Sequence, residues 1–270
     1  MRARLVLGLV VAGAIAALAG EAFAQRGLGR YVGRLAEPAD YDGSFHFCRG
    51  WFRNSFNGDG GGWQADWPYA DINLSIRLAE LTKTTVSRDA FGDPQPMVVR
   101  MSDPMLHQCG FVMMTEVGAI SINEEEADNL RAYLLKGGFL WVDDFWGDYA
   151  WRFWENQIRR VFPAADYPIT DVTADHPLMN MQFRVAQTPQ ITNIGWWRGT
   201  GTTSERGAET AVVNTRAISD EHGRVMVLMT HNTDFGDAWE REGEDPSFFY
   251  QFAADGYAFG INVVLYAMTH

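Results

Sequence analysis

Short apolar runs separated by amphipathic stretches set the first expectation for this chain. Phe45-His46-Phe47-Cys48-Arg49-Gly50-Trp51-Phe52 alternates apolar and polar side chains and breaks at Asn54, which predicts a strand. The glycine-rich loop Asn57-Gly58-Asp59-Gly60-Gly61-Gly62 follows, and Pro68 opens a helix with Ile72, Leu74, Leu78 and Leu81 on its buried face. Met97-Val98-Val99 is a short apolar segment behind Pro94 and Pro96, and Phe111 to Met114 reads as a buried strand ending at Thr115-Glu116. Ser121 with Glu124 three residues on matches a capping box for a helix carrying Ala127, Leu130 and Leu134, stopped by Gly137-Gly138. Phe139-Leu140-Trp141-Val142 is a continuous apolar strand closed by Asp143-Asp144. Asp148 can cap a further helix with Trp151, Trp154, Ile158 and Val161, which Pro163 ends. Residues 169 to 216 lack a clear period. Val225 to Met229 is another buried strand, running into Thr230-His231-Asn232, and Tyr257 to His270 reads as a closing helix.

Apolar strands alternating with amphipathic helices predict a parallel sheet covered on both faces. With right-handed crossovers, the expected fold class is α/β: a doubly wound, mainly parallel, flavodoxin-like three-layer sandwich with a loop-rich insertion. The expected organisation is a leader up to residue 43 and one domain over residues 44–270.

The N-terminus adds an export signal. Arg2 and Arg4 precede an apolar run from Leu5 to about Leu18, and Ala22-Phe23-Ala24 is a small-x-small pattern, so residues 1–24 read as a signal peptide cleaved between Ala24 and Gln25. The run is shorter than a spanning helix requires, and no Cys follows the cut, so a soluble periplasmic or secreted protein is expected. Residues 25–43 read as a flexible leader. The formal net charge is −12, which argues against a diffuse field for nucleic acid or anionic lipid. Cys48 and Cys109 can be a disulfide in an oxidising compartment or two small buried side chains, and the sequence leaves both open.

In such a sheet, ligands bind beyond the carboxyl ends of the strands. The residues expected at that edge are Arg53, Trp63, Asp66, Glu116, Asp143, Asp144, Trp146, His231, Asn232, Asp234 and Trp239. Adjacent buried carboxylates are costly unless paired or bound to a cation, which singles out Asp143-Asp144. Asp143 reads as a catalytic or metal-binding carboxylate and Asp144 as a loop brace. His231 is the candidate base, although a lone His at a strand end is more often structural. Asp71 reads as an early-turn acid placed to favour the helix dipole. The chain has no G-x-S-x-G elbow, P-loop, H-E-x-x-H or G-x-G-x-x-G motif, and the Cys pair lacks zinc spacing, so no cofactor is expected.

Six blocks together are similar to a bacterial family, the domain of unknown function 4159. They are Trp63 to Pro68, Leu130 to Leu140, Val142-Asp143-Asp144-Phe145, Asp175-His176-Pro177-Leu178, Asn232 to Glu240 and Asn262 to Ala267. The resemblance implies a glutamine-amidotransferase-like fold and an association with von Willebrand-type modules and AAA ATPases of cell-envelope systems. Amidotransferases of this fold place a Cys at the strand-to-helix elbow, where this chain has Asp143 and Asp144. The function expected is therefore a non-catalytic periplasmic binding or assembly module with a polar, Trp-rich strand-end cleft. The alternative is an envelope hydrolase for carbohydrate or amide bonds, using Asp143 and His231.

Overall fold

A computed structural model describes residues 33–270; the proposed signal peptide and its cleavage site at Ala24-Gln25 lie outside the described residues. The sheet is built around four buried strands: β1 (Cys48–Trp51), β4 (Val112–Thr115), β6 (Leu140–Asp143) and β9 (Val225–His231). Two short strands, β2 (Arg53–Asn54) and β5 (Ile120–Ser121), pair separately as an antiparallel ribbon. β3 (Met97–Arg100), β7 (Ile169–Asp171) and β8 (Asn214–Ser219) complete a seven-stranded sheet in the order β3-β1-β4-β6-β9-β8-β7. The first five strands are mutually parallel, and β8 and β7 add antiparallel. Residues 169–216, irregular in sequence, thus supply an antiparallel extension of the sheet and one short helix, α4 (Ile194–Thr200).

The pleat explains how a run of consecutive apolar residues serves two cores. Successive side chains point to opposite faces of a strand. Phe111, Met113 and Trp141 enter one core with Leu74, Leu78, Phe235 and Phe259, while Val112, Met114 and Val142 enter the other with Leu130, Leu134, Trp154 and Ile158. The first core is covered by α1 (Tyr69–Leu81) and α6 (Ala254–Thr269), and the second by α2 (Glu124–Leu135) and α3 (Gly147–Val161). Helices on both faces of one sheet make the three layers.

Two helix starts differ from the expected caps. Ser121 belongs to β5, where it pairs with Arg53, and Asn123 caps α2 in a reciprocal capping box with Glu126. α3 starts at Gly147, one residue before Asp148, with Trp146 as N-cap and no side-chain cap bond. Within the stretch read as a leader, Leu35 bridges Val98 of the edge strand β3, and the Ala36 amide donates to the Val98 carbonyl at 2.8 Å. Among the described residues, no helix is long and apolar enough to cross a membrane.

Counted among the parallel strands alone, the order is 2-1-3-4-5. The chain steps outward from β1 to β3, then returns across β1 to β4, so the order reverses between β1 and β4. In doubly wound sheets the carboxyl edge at such a reversal is where ligands sit. Cys48 and Cys109 are joined in a disulfide, with Cα atoms 6.2 Å apart, tying β1 to the turn that leads into β4. Replacing both by Ser (Cys48→Ser with Cys109→Ser) is expected to cost about 2–5 kcal/mol of unfolding free energy. The urea midpoint should fall accordingly, and thiol titration of the native wild type should find no free cysteine.

Candidate functional site

Arg49 on β1 organises the carboxyl edge from below. Its side chain is fully buried and makes a two-bond fork with Asp71 of α1, Nε to Oδ1 at 3.1 Å and Nη2 to Oδ2 at 2.6 Å. Nη1 donates to the Thr115 hydroxyl of β4 at 3.0 Å and to the Ala65 carbonyl at 3.3 Å. One cation therefore joins two strands, a helix and the loop that carries Asp66. Asp71 does sit in the first turn of α1, and it is in addition the partner of a buried guanidinium.

Four non-glycine residues have a left-handed backbone among the described residues: Asp66 (φ 61), Glu116 (φ 52), Asp144 (φ 53) and Asn232 (φ 66). Glu116, Asp144 and Asn232 each follow directly on a parallel strand, β4, β6 and β9 respectively. The sharp turn at Asp144 sends adjacent carboxylates along different paths. Asp143 is fully engaged: the Thr230 hydroxyl donates to Oδ1 and the Phe235 amide to Oδ2 at 2.7 Å. Trp141 Nε1 donates in turn to the Thr230 hydroxyl at 2.8 Å. Asp144 turns outward instead, accepting from Trp146 Nε1 at 2.9 Å. The expected roles of the pair are thus exchanged, with Asp143 the brace and Asp144 the residue facing other acids.

Asp66, Asp144 and Asp234 each present a carboxylate oxygen within 4.8 Å of the others. A second group, Asp66 with Asp237 and Glu240, meets the same limit. Asp234 caps α5 (Phe235–Glu240) by accepting from the Asp237 amide at 2.9 Å. Burial pushes Asp66, Asp144 and Asp234 well above the ordinary carboxylate range, and their carboxylate neighbours add to the shift. Glu116 is raised by burial, against the opposing hydrogen bond from the Gly62 amide. Burial lifts Asp143 to about 7 despite its two donors.

The glycine-rich loop packs against the Glu116 turn. The Asp59 amide donates to the Gly118 carbonyl at 2.9 Å, and a Cβ on Gly58 would collide with the Ala119 backbone. Arg206 holds Asp59 from the far side, Nη2 to Oδ1 at 3.0 Å. Between this loop and β2 lies a cavity of about 500 Å³ bordered by Trp51, Arg53, Asn54, Trp63 and Gln64. Trp63 is half-buried, with its ring 6.1 Å from Trp67. Three larger clefts lie elsewhere, about 610 Å³ beside Asp171 and Thr215, about 1020 Å³ beside Phe45 and Met268 and about 590 Å³ beside Tyr167 and Asp220, and none is lined by one of these four left-handed residues.

Other expected site residues hold structure together. Arg53 pairs with the buried Glu126 at 2.7 Å. Asn232 braces two backbones, accepting from the Gly147 amide and donating to the Val212 carbonyl. Trp239 is wholly enclosed in the core and Trp146 is buried, so the accessible aromatic content of the edge rests on Trp51, Trp63 and Trp67. His231 and Asp143 do not meet. Thr230 carries the bond to Asp143 on one face of β9. His231, the next residue, lies on the other, packed against Phe145 and Trp151 with Nε2–H donating to the Gly147 carbonyl at 3.0 Å.

The family model described as domain of unknown function (DUF4159) matches residues 54–268. The chain belongs to that family. The match takes in every expected edge residue except Arg53, including the carboxylate groups and the β9 turn. A search of the curated proteins finds no match.

Two outcomes follow from this geometry. Asp71→Ala leaves Arg49 buried without its counterion and should cost about 3–5 kcal/mol, whereas Arg49→Met combined with Asp71→Leu should cost clearly less than the two single changes added. Urea denaturation of wild type, the three single variants and the double variant checks this. Burial also holds His231 neutral, with its pKa lowered to about 4. The unfolded chain takes up a proton below about 6.5 that the folded chain refuses until about 4, so this residue makes stability fall as pH drops through that window. The contribution approaches about 3 kcal/mol, and it should appear as a pH-dependent stability difference between wild type and His231→Gln from pH 7 to pH 4, because the variant lacks it.

Proposed function

We propose that this chain is an exported binding or assembly module that holds its ligand at the carboxyl edge, between the glycine-rich loop and the acidic turns after β4 and β6. The observation that carries the reading is the placement of strain. Each left-handed non-glycine residue costs about 1–2 kcal/mol, and all four of the described ones lie at this edge. Strain of this kind persists where surrounding structure enforces it, typically at ligand-binding and active sites. The order reversal between β1 and β4 marks the same place.

Export is supported by the leader pattern and by the Cys48–Cys109 disulfide, a crosslink that lasts in oxidising compartments. The exposed part of Trp63, beside a cavity of about 500 Å³, gives a flat apolar face on which a sugar ring or peptide can rest. The envelope-hydrolase reading relied on Asp143 and His231 working together, and their side chains occupy opposite faces of the sheet.

Titration of the purified mature chain with muropeptides and envelope oligosaccharides, followed by tryptophan fluorescence, tests this reading. Saturable binding is expected, weakened roughly tenfold by Trp63→Ala, the order of one lost aromatic anchor. Binding that is indifferent to both Trp63→Ala and Glu116→Gln, or no binding across the panel, would remove the edge as the ligand site.

A further inference from the structure

The geometry points to a hard divalent cation, of the magnesium or calcium class, held by one oxygen each from Asp66, Asp144 and Asp234. It rests on the reading of this edge as the ligand site and gives that site an inorganic anchor. Ligand oxygens lie about 2.0–2.6 Å from such ions, so two ligands of one ion are at most about 5 Å apart. The three carboxylates meet that condition pairwise.

An independent observation comes from a single atom. Asp66 Oδ2 is sealed from solvent and receives no hydrogen bond. It lies against Gly236, where any Cβ would strike it. A sealed carboxylate oxygen with no donor is costly unless a proton or a cation meets it. Asp234 is buried and Asp144 sits at the margin with 9% exposure, while Asp66 as a whole is half-buried, which leaves a way in for the ion and for further oxygen ligands.

Charge bookkeeping selects this group over its neighbour. The group of Asp66, Asp237 and Glu240 already has a cation, since Arg241 Nε lies 2.9 Å from Glu240 and 3.6 Å from Asp237, while the Ile194 amide donates to Asp237 at 2.6 Å. No salt bridge to Asp66, Asp144 or Asp234 occurs among the described residues. Arg49 is the guanidinium whose charge acts on Asp66, and both arms of its fork hold Asp71. An all-carboxylate set without His or Cys favours an oxygen-seeking ion over zinc or copper. The ion would complete its shell with water or with oxygens of a ligand seated at the edge.

The test uses the mature chain stripped with EDTA and titrated with Ca²⁺ or Mg²⁺ alone, by calorimetry and by thermal melting. One ion per chain is expected, with a higher melting temperature. Asp144→Asn and Asp66→Asn should each weaken binding by at least about tenfold, while Asp166→Asn, on the exposed turn after α3, should leave it unchanged. Terbium luminescence sensitised by nearby tryptophan and displaced by Ca²⁺ gives a readout on wild-type protein should a variant fail to fold. No heat, no melting shift and no terbium signal at millimolar ion would overturn the proposal, because protons would then be holding the group together. Binding that survives in both Asn variants would overturn it equally. Ion binding without any glycan or peptide binding would leave this site standing and remove the organic-ligand reading; the converse would remove the ion.

Discussion

A buried guanidinium with a dedicated counterion is the constraint on which the edge depends. Bringing Arg49 and Asp71 out of water is expensive, and a pair in that setting is tolerated only with near-ideal geometry and every donor used. Arg49 comes close to both: the fork to Asp71 is two-bonded and the remaining arm reaches Thr115 and Ala65, so every nitrogen has a partner and four of the five N–H groups are bonded. The result fixes β1, β4, α1 and the Asp66 loop relative to one another at the point where the strand order reverses. It also sets the electrostatics above it. Because Arg49 is already paired, the acids beyond the strand ends gain only its residual field.

The pleat then divides the chemistry. Adjacent residues of a strand face opposite ways, so Thr230 and His231 report to different cores, as do Trp141 and Val142. The path Trp141 to Thr230 to Asp143 to the Phe235 amide is a closed chain of donors and acceptors linking β6, β9 and α5. Such a chain locks the turn after β6, and that turn swings Asp144 out toward Asp66 and Asp234. Asp143 therefore acts on the site through the backbone, while its neighbour acts through its side chain.

The layered fold was legible because continuous apolar runs between amphipathic helices leave few alternatives, and the buried strands appear where Phe111, Phe139 and Val225 announce them. The strand-end edge was legible for the same reason, since it follows from topology alone. The finer assignments were not. Arg49 and Asp71 are separated by a loop and a turn of helix, and no spacing rule pairs them. The roles of Asp143 and Asp144 turn on one backbone angle, and Asp tolerates the left-handed region without demanding it. Ser121 and Asn123 both precede a Glu at capping distance; only the pairing of β5 with β2 decides between them. Trp239 and Trp63 look alike as strand-distal aromatics, yet one is sealed behind α6 and the other borders a cavity.

An acidic edge can be stabilised by arginines, by protons or by a captured cation, and this molecule uses the first wherever an arginine can reach. Arg53 serves Glu126, Arg206 serves Asp59, and Arg241 serves Glu240 and Asp237. Those pairs ring the site and leave Asp66, Asp144 and Asp234 outside the pairing. Protons can neutralise the three, and Asp237 lies close enough to Asp66 to share one, but Asp144 and Asp234 would each still need a proton and an acceptor for its O–H. A small divalent ion asks for no new acceptor and can accept all three oxygens in their present positions. It would also convert an edge that repels anions into one that attracts them, which is how a strongly acidic protein can hold a carboxylate-bearing or polyhydroxylated ligand at its most acidic point.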